Sequence, residues 1–371
     1  MTLVRSHLRP LSGSKQFFIW VCCLFFVQAC KAKVPVSEKN ATKSEKISVK
    51  IADPEIQAEN PEKKPLVLQL RLPLEEDQLA ENALFERLQI LEGFLVGFDS
   101  LNRRGLPIQV EVVNTAKSPV DAMPDSAAPI VIHYEAEVFR IYLSSEKRWF
   151  ESRPPMEMHT ARIVRYAKKE NAAILVLTRK TELETRILTA LQEQQTGVRI
   201  IEKKRPTKAE IQAKLVKGRK NIVYIPSPDE NYVIHCLKQL TELQIAFQLE
   251  VFGLPNWVNF PTADPELLAQ LPVYVTSATS VVFNQPGSIR FQELFKEKFD
   301  GEPQAGAFVA FDHALFIGER WIEHQKWKST NFKENSKQLS QDFNFFEEED
   351  QLINKAVRIL AYRDYQFKPI P

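Results

Sequence analysis

Between Ala173 and Phe252 the chain repeats one unit: a short apolar run, a polar turn, an amphipathic stretch, then another apolar run. Ala173–Thr178 (AILVLT) reads as a buried strand, followed by a helix over Thr181–Gln195 and a strand over Val198–Glu202. A helix over Thr207–Val216 leads to a strand at Asn221–Ile225 (NIVYI), a helix over Asp229–Leu243 and a strand over Ala246–Phe252. Continuous apolar strands separated by amphipathic helices predict parallel βαβ units with right-handed crossovers, an α/β fold class. Such sheets take ligands at the carboxyl ends of their strands.

The same logic extends upstream. Leu66–Leu72 (LVLQLRL) is strand-like, and Leu79–Arg103 reads as a long helix on the spacing of Leu84, Leu88, Leu91, Leu95 and Phe98. Gly93 and Gly97, four apart, predict a face that approaches the sheet closely, and Gly105 ends the helix before a strand at Ile108–Asn114. Downstream come helices over Ser288–Phe299 and Ala305–Lys328 and a strand over Val357–Tyr362. Lys147–Pro155 and Thr279–Gly287 interrupt the series and are expected to carry the chain between two lobes. The expected boundaries are 65–146 with 285–330 for the first lobe, and 147–284 with 331–371 for the second.

The N-terminus reads as an address. Arg5, Arg9 and Lys15 precede an 11-residue apolar run, Phe17–Val27, too short for a spanning helix of about 20 residues. The run ends Val27-Gln28-Ala29-Cys30, which resembles a bacterial lipoprotein cleavage box, with residues 1–29 as signal peptide and Cys30 as the lipidated residue, carrying palmitate-type chains. An ordinary signal peptide cut near Ala32 is the alternative. Removing a leader with three basic residues and no acidic ones takes the formal charge from +2 to −1. Neither value is an electrostatic footprint for nucleic acid. Of the four cysteines only Cys236 would stay free of leader and lipid, which excludes an intramolecular disulfide. Residues 30–64, without an aromatic or a leucine, predict a flexible tether.

The order of motifs resembles the type I periplasmic binding proteins. Gly93-Phe-Leu-Val-Gly-Phe-Asp-Ser-Leu-Asn-Arg-Arg-Gly105 is similar to the family's first helix. Phe252-Gly-Leu-Pro-Asn-Trp257 is similar to a turn after a second-lobe strand, and Phe291–Phe311 with Asp312 to the family's late aromatic motif. Asn221–Ser227 with the helix after it is similar to versions in Bacteroidetes lipoproteins. The resemblance implies two Rossmann-like lobes with parallel sheets flanked by helices, hinged around a small ligand such as an amino acid. In the family a Gly/Ser/Thr-rich first-lobe segment grips the ligand. Here no glycine occurs from Leu106 to Thr196, and a helix–strand unit of the first lobe is expected to be trimmed.

No phosphate-loop, dinucleotide, nucleophile-elbow, zinc-protease or CxxC pattern occurs in the sequence, so no catalytic residue, metal ligand or cofactor is expected. Glu319, Glu323 and His324 read as a solvated helix face, and Asp312-His313 as packed helix residues. The expected ligand-binding residues are Ser144, Ser145, Thr178, Ser227, Trp257 and Thr276, hydroxyls and an indole at strand ends or crossings. Trp149 and Phe150, flanked by Lys147, Arg148 and Arg153, are expected to form a partner surface. The expectation is a non-catalytic, lipid-anchored protein of the cell envelope, periplasmic and held at the outer membrane. It would recognise an amino acid, peptide or muropeptide. The alternative is an interaction scaffold in peptidoglycan or envelope assembly with a protein partner.

Overall fold

The computed structural model describes residues 46–51, 64–74, 81–115, 128–135, 138–348 and 351–370, all within one compact unit, Ser44–Pro371. The leader and Cys30 lie outside the described residues.

Two sheets organise it. The first takes β1 (Lys46–Ile51), β2 (Leu66–Leu72), β3 (Ile108–Asn114), β4 (Ile130–Glu135), β5 (Val138–Leu143) and β6 (Arg148–Glu151), then β14 (Phe345–Glu348) and β15 (Gln351–Asn354). Their order is β1-β3-β2-β4-β5-β6-β15-β14. Parallel pairing holds only for β3-β2-β4 and β6-β15; β4-β5-β6 is an antiparallel meander. The second sheet, β17-β16-β11-β10-β9-β7-β8, comprises β7 (Ala173–Thr178), β8 (Arg199–Glu202), β9 (Asn221–Tyr224), β10 (Leu249–Gly253), β11 (Val273–Ser277), β16 (Arg358–Arg363) and β17 (Gln366–Pro369). Its five central strands are parallel, closed on one side by the antiparallel β16-β17 pair. A minimal pair, β12 (Ser336–Lys337) and β13 (Asp342–Phe343), stands between the lobes' sheets in the chain.

The helices are α1 (Glu81–Asn102), α2 (Met156–Lys169), α3 (Glu182–Gln194), α4 (Lys208–Lys214), α5 (Glu230–Thr241), α6 (Pro265–Ala269), α7 (Pro286–Phe299) and α8 (Ala305–His324). Sequence dictates several starts: Thr181 with Glu184, and Thr207 with Glu210, form capping boxes, and the Asp229 side chain accepts from the Tyr232 amide. Each lobe has its own apolar core. Ile174, Val176, Val223, Val251 and Val275 anchor one; Leu68, Leu70, Phe94, Ile132, Phe308 and Phe316 anchor the other.

The structure differs from the sequence reading in several respects. Residues 46–51, inside the expected tether, form an edge strand in register with β3. Residues 148–151, read as a crossing, are β6, and Met156–Lys169 is a helix that the reading passed over. The first-lobe sheet keeps β14 and β15, so residues 331–354 lie with the first lobe, and the chain returns to the second only between Asn354 and Arg358. On α1 the buried line is Ile90, Phe94, Phe98 and Leu101, whereas Leu88 is exposed. Gly93 and Gly97 face α8 rather than the sheet, against Ala307, Phe311 and Ala314. Strands β4 and β5 pair as an antiparallel hairpin, Ile130 opposite Leu143.

Candidate functional site: the cleft at the lobe junction

Three crossings form the hinge, and one loop ties them. Gln341 Nε2 and Asn354 Nδ2 both donate to the Ser152 carbonyl, at 2.9 and 3.0 Å. Arg358 donates to the carbonyls of Ser280, Leu339 and Gln338 and pairs with Asp342 at 2.6 Å. Thr279 bridges Gln341 in antiparallel fashion. Beneath the loop, the fully buried Asp312 carboxylate accepts from the Ser340 hydroxyl and from the amides of Leu339, Ser340 and Gln341. Burial pushes its carboxyl up to about 6, against the opposing pull of those hydrogen bonds.

Around this hinge opens a cleft of about 670 Å³. The first lobe supplies Val138 and Phe139 at the start of β5, Glu151 at the end of β6, and Val309 on α8. The second supplies Met156, Glu157 and His159 from α2, Arg186 from α3, and Pro255 after β10. Ser152, Arg153, Ser277, Thr279 and Gln341 line it from the hinge itself. Apart from Glu151, its first-lobe side is therefore apolar, whereas Glu157, Arg186 and the hinge residue Arg153 bring charge to the opposite side.

The start of α2 faces this space. Pro154 and Pro155 set an extended approach, and no side chain caps the helix at Pro155. Its first amides and its dipole then favour a negative group nearby. Arg153 and Arg186 add positive charge, and Glu157 lies 3.7 Å from Arg186. His159 is 4% exposed, with no partner for Nδ1 among the described residues. Burial, with Arg153 adding to it, lowers its pKa to about 4, so the ring is neutral near pH 7. A neutral imidazole can donate or accept one hydrogen bond without adding charge.

The expected ligand residues lie elsewhere. Thr178, Ser227 and Trp257 do come together, at the carboxyl ends of β7 and β9, but each is already engaged. Thr178 donates to the buried Glu184, Ser227 accepts from Arg179, and the Trp257 indole donates to the Ser227 carbonyl at 3.0 Å. Arg179 completes this network by pairing with Asp229 at 2.6 Å. Trp257 also lies against Gly253, where a Cβ would stand 2.2 Å from the ring. Thr276 is buried in β11, one residue before the cleft-lining Ser277.

Ser144 and Ser145 sit at the β5-β6 turn, the hairpin end away from the cleft, bonded to the carbonyls of Ala128 and Trp327. Phe150 is fully buried in the first-lobe core against Phe332, so it offers no surface to a partner. Trp149 is half-buried beside Tyr142 and His133. Among the described residues Glu323, His324 and Glu334 approach one another closely enough to share an ion, but two of the three are exposed acids.

Glu157 and His159 are cleft residues that the sequence reading does not single out, and Arg153 enters it only beside the expected partner surface; all three follow Trp149 within ten positions. Pro154-Pro155 ahead of an amphipathic stretch was the available signal, since proline there stops one element and starts the next.

No known family model matches the chain, and no curated protein resembles it in sequence. Solved structures match in fold. A putative branched-chain amino acid ABC transporter protein from Rhodospirillum rubrum aligns over 83% of this chain and 100% of its own, with 11% identity and a TM-score of 0.56. An ABC transporter substrate-binding protein from Desulfitobacterium hafniense aligns over the same shares with 12% identity and a TM-score of 0.50. Full-length LpoA from Haemophilus influenzae aligns over 83% of this chain and 59% of its own, at 12% identity and 0.47, too loose a match to bear on function. Two mixed or parallel sheets flanked by helices and joined by three crossings give this chain the type I periplasmic-binding-protein fold. No described helix is long and apolar enough to cross a membrane.

Proposed function

We propose that this chain is a non-catalytic ligand-recognition protein whose two lobes close on a small solute at the hinge cleft. The observation that carries the reading is the division of that cleft: a near-apolar wall of Val138, Phe139 and Val309 faces Arg153, Arg186 and the uncapped start of α2. A small amphiphilic acid fits it, its carboxylate toward the second lobe and its apolar part against the first. Glu151 and Glu157 suit an ammonium group, which makes amino acids and short peptides the preferred class. The volume lies within the ~300–1,000 Å³ usual for small-molecule sites. The fold likeness to substrate-binding proteins supports this reading and the absence of catalysis. The meander β4-β5-β6 stands where the resemblance implies a hydroxyl-rich loop, so the first-lobe grip would rest on packing.

Titration calorimetry of the full chain against amino acids, dipeptides and muropeptides tests the reading. Saturable binding that weakens in Arg153→Ala is expected; no heat with any of them sinks it. We further propose attachment through Cys30 to the envelope, at the outer membrane, on the strength of the cleavage-box sequence. Metabolic labelling with an alkynyl palmitate should mark the wild-type chain and not Cys30→Ala.

A further inference from the structure

The hinge has a second open side. One turn along α2 from His159, Arg162 and Arg165 turn to a separate pocket of about 470 Å³. Lys337 of β12 enters it from the first lobe, and Lys355 from the third crossing. Four cations from both lobes and the hinge thus line one cavity. Its one carboxylate among the described residues, Asp342, is engaged by Arg358. None of the four cations makes an ion pair among the described residues; Lys355 has the Phe346 ring at 5.6 Å.

Uncompensated like charges across a lobe junction repel, and that repulsion weakens the arrangement seen here. Burial and then the neighbouring Arg165 hold the Arg162 guanidinium below its usual range, as expected for a charge lacking a counter-ion. Two guanidiniums three residues apart on a helix present forks on one side, suited to the oxygens of a tetrahedral anion. Lys337 and Lys355 add point charges, and Asn335 and Asn344 add side-chain amides to the lining. We propose that this pocket binds a phosphate-bearing, multiply charged anion that bridges the two lobes from outside the solute cleft. Such a ligand would favour the lobe angle that brings α2 to Lys337 and Lys355, and so would couple to cleft occupancy. The site itself requires no cleft ligand.

The test titrates the full chain at low ionic strength with inorganic pyrophosphate, and in parallel with phosphatidylcholine vesicles doped with phosphatidic acid. Saturable binding is expected in at least one arm, with sodium chloride at matched ionic strength failing to reproduce it. Both Arg162→Gln/Arg165→Gln and Lys337→Gln/Lys355→Gln should weaken it about tenfold or more. The pairs come from different elements, so if one fails to fold the other still decides. Binding in the soluble arm identifies a free phosphate compound, and binding to vesicles alone identifies a lipid headgroup. Absence of binding in both arms overturns the proposal, as does affinity unchanged in a folded double variant.

Discussion

Gly93 on α1 lies against the backbone of Ala307 on α8: a Cβ added at Gly93 would stand 2.2 Å from the Ala307 carbonyl oxygen. The two helices touch main chain to main chain there, with Gly97 and Ala314 continuing the contact one turn on. Gly93→Ala must therefore push α1 away from α8, because the obstructing atom is backbone and has no rotamer to change. Overpacking of this kind costs about 1–3 kcal/mol, and this site belongs at the upper end. Urea unfolding should show the loss with an unchanged m-value; a neutral outcome would mean that the helices separate freely.

Asp312 holds the loop that pins the hinge. In Asp312→Ala three amides and the Ser340 hydroxyl lose their acceptor in a buried site, at about 1–3 kcal/mol per group left unsatisfied. Gln341, released from it, also lines the cleft. The variant should lose stability by several times the effect of an exposed alanine substitution and should bind cleft ligand more weakly. Thermal unfolding and calorimetry on the same preparation check both.

Stability should fall on mild acidification. His133, His159 and His313 are each lowered to about 4, first by burial, so between 6.5 and about 4 the unfolded chain binds protons that the native chain refuses. Asp312 acts oppositely: its raised pKa makes the native state the better proton binder between about 4 and 6. Three groups outweigh one, leaving a net loss of about 2–3 kcal/mol per pH unit as pH drops through 5. Denaturant midpoints at stepped pH give the slope, and Asp312→Asn should steepen it. A flat profile would count against the buried, neutral state of these rings.

Within the cleft, Arg186→Ala should weaken binding of a carboxylate ligand about tenfold while leaving the melting temperature near wild type, since the side chain is exposed and makes only a loose pair with Glu157. Trp149→Ala, outside the cleft lining, should leave that affinity unchanged. Calorimetry distinguishes the two.

The second-lobe alternation was legible because buried parallel strands are written in Val, Ile and Leu, and because Thr181 and Thr207 announce their helices with a glutamate three residues on. The α1 face was misread because its tightest contacts are made by glycines, which carry no hydropathy. The strand β6 and helix α2 were hidden by Arg153-Pro-Pro155, whose breaking signal is also what ends one lobe and starts the next. For the site, the strand-end hydroxyls of Thr178 and Ser227 do lie together in the second lobe, yet they spend their hydrogen bonds on Glu184 and Arg179. Glu184 also serves the Thr181 capping box, six residues from Thr178, whereas Arg179 reaches Ser227 across 48 positions, a pairing with no local trace. The cleft is set instead by the crossing, where Arg153 and His159 acquire meaning only once both lobes are built.

The late return of the chain to the second lobe has a further effect. Strand β16 covers the edge of β11, and β14-β15 extend the first sheet, so each lobe is finished by residues beyond Asn344. Neither sheet has all its strands without the segment after Asn344. Until that segment is in place β11 and β6 each present an open edge, the kind of surface on which other strands add.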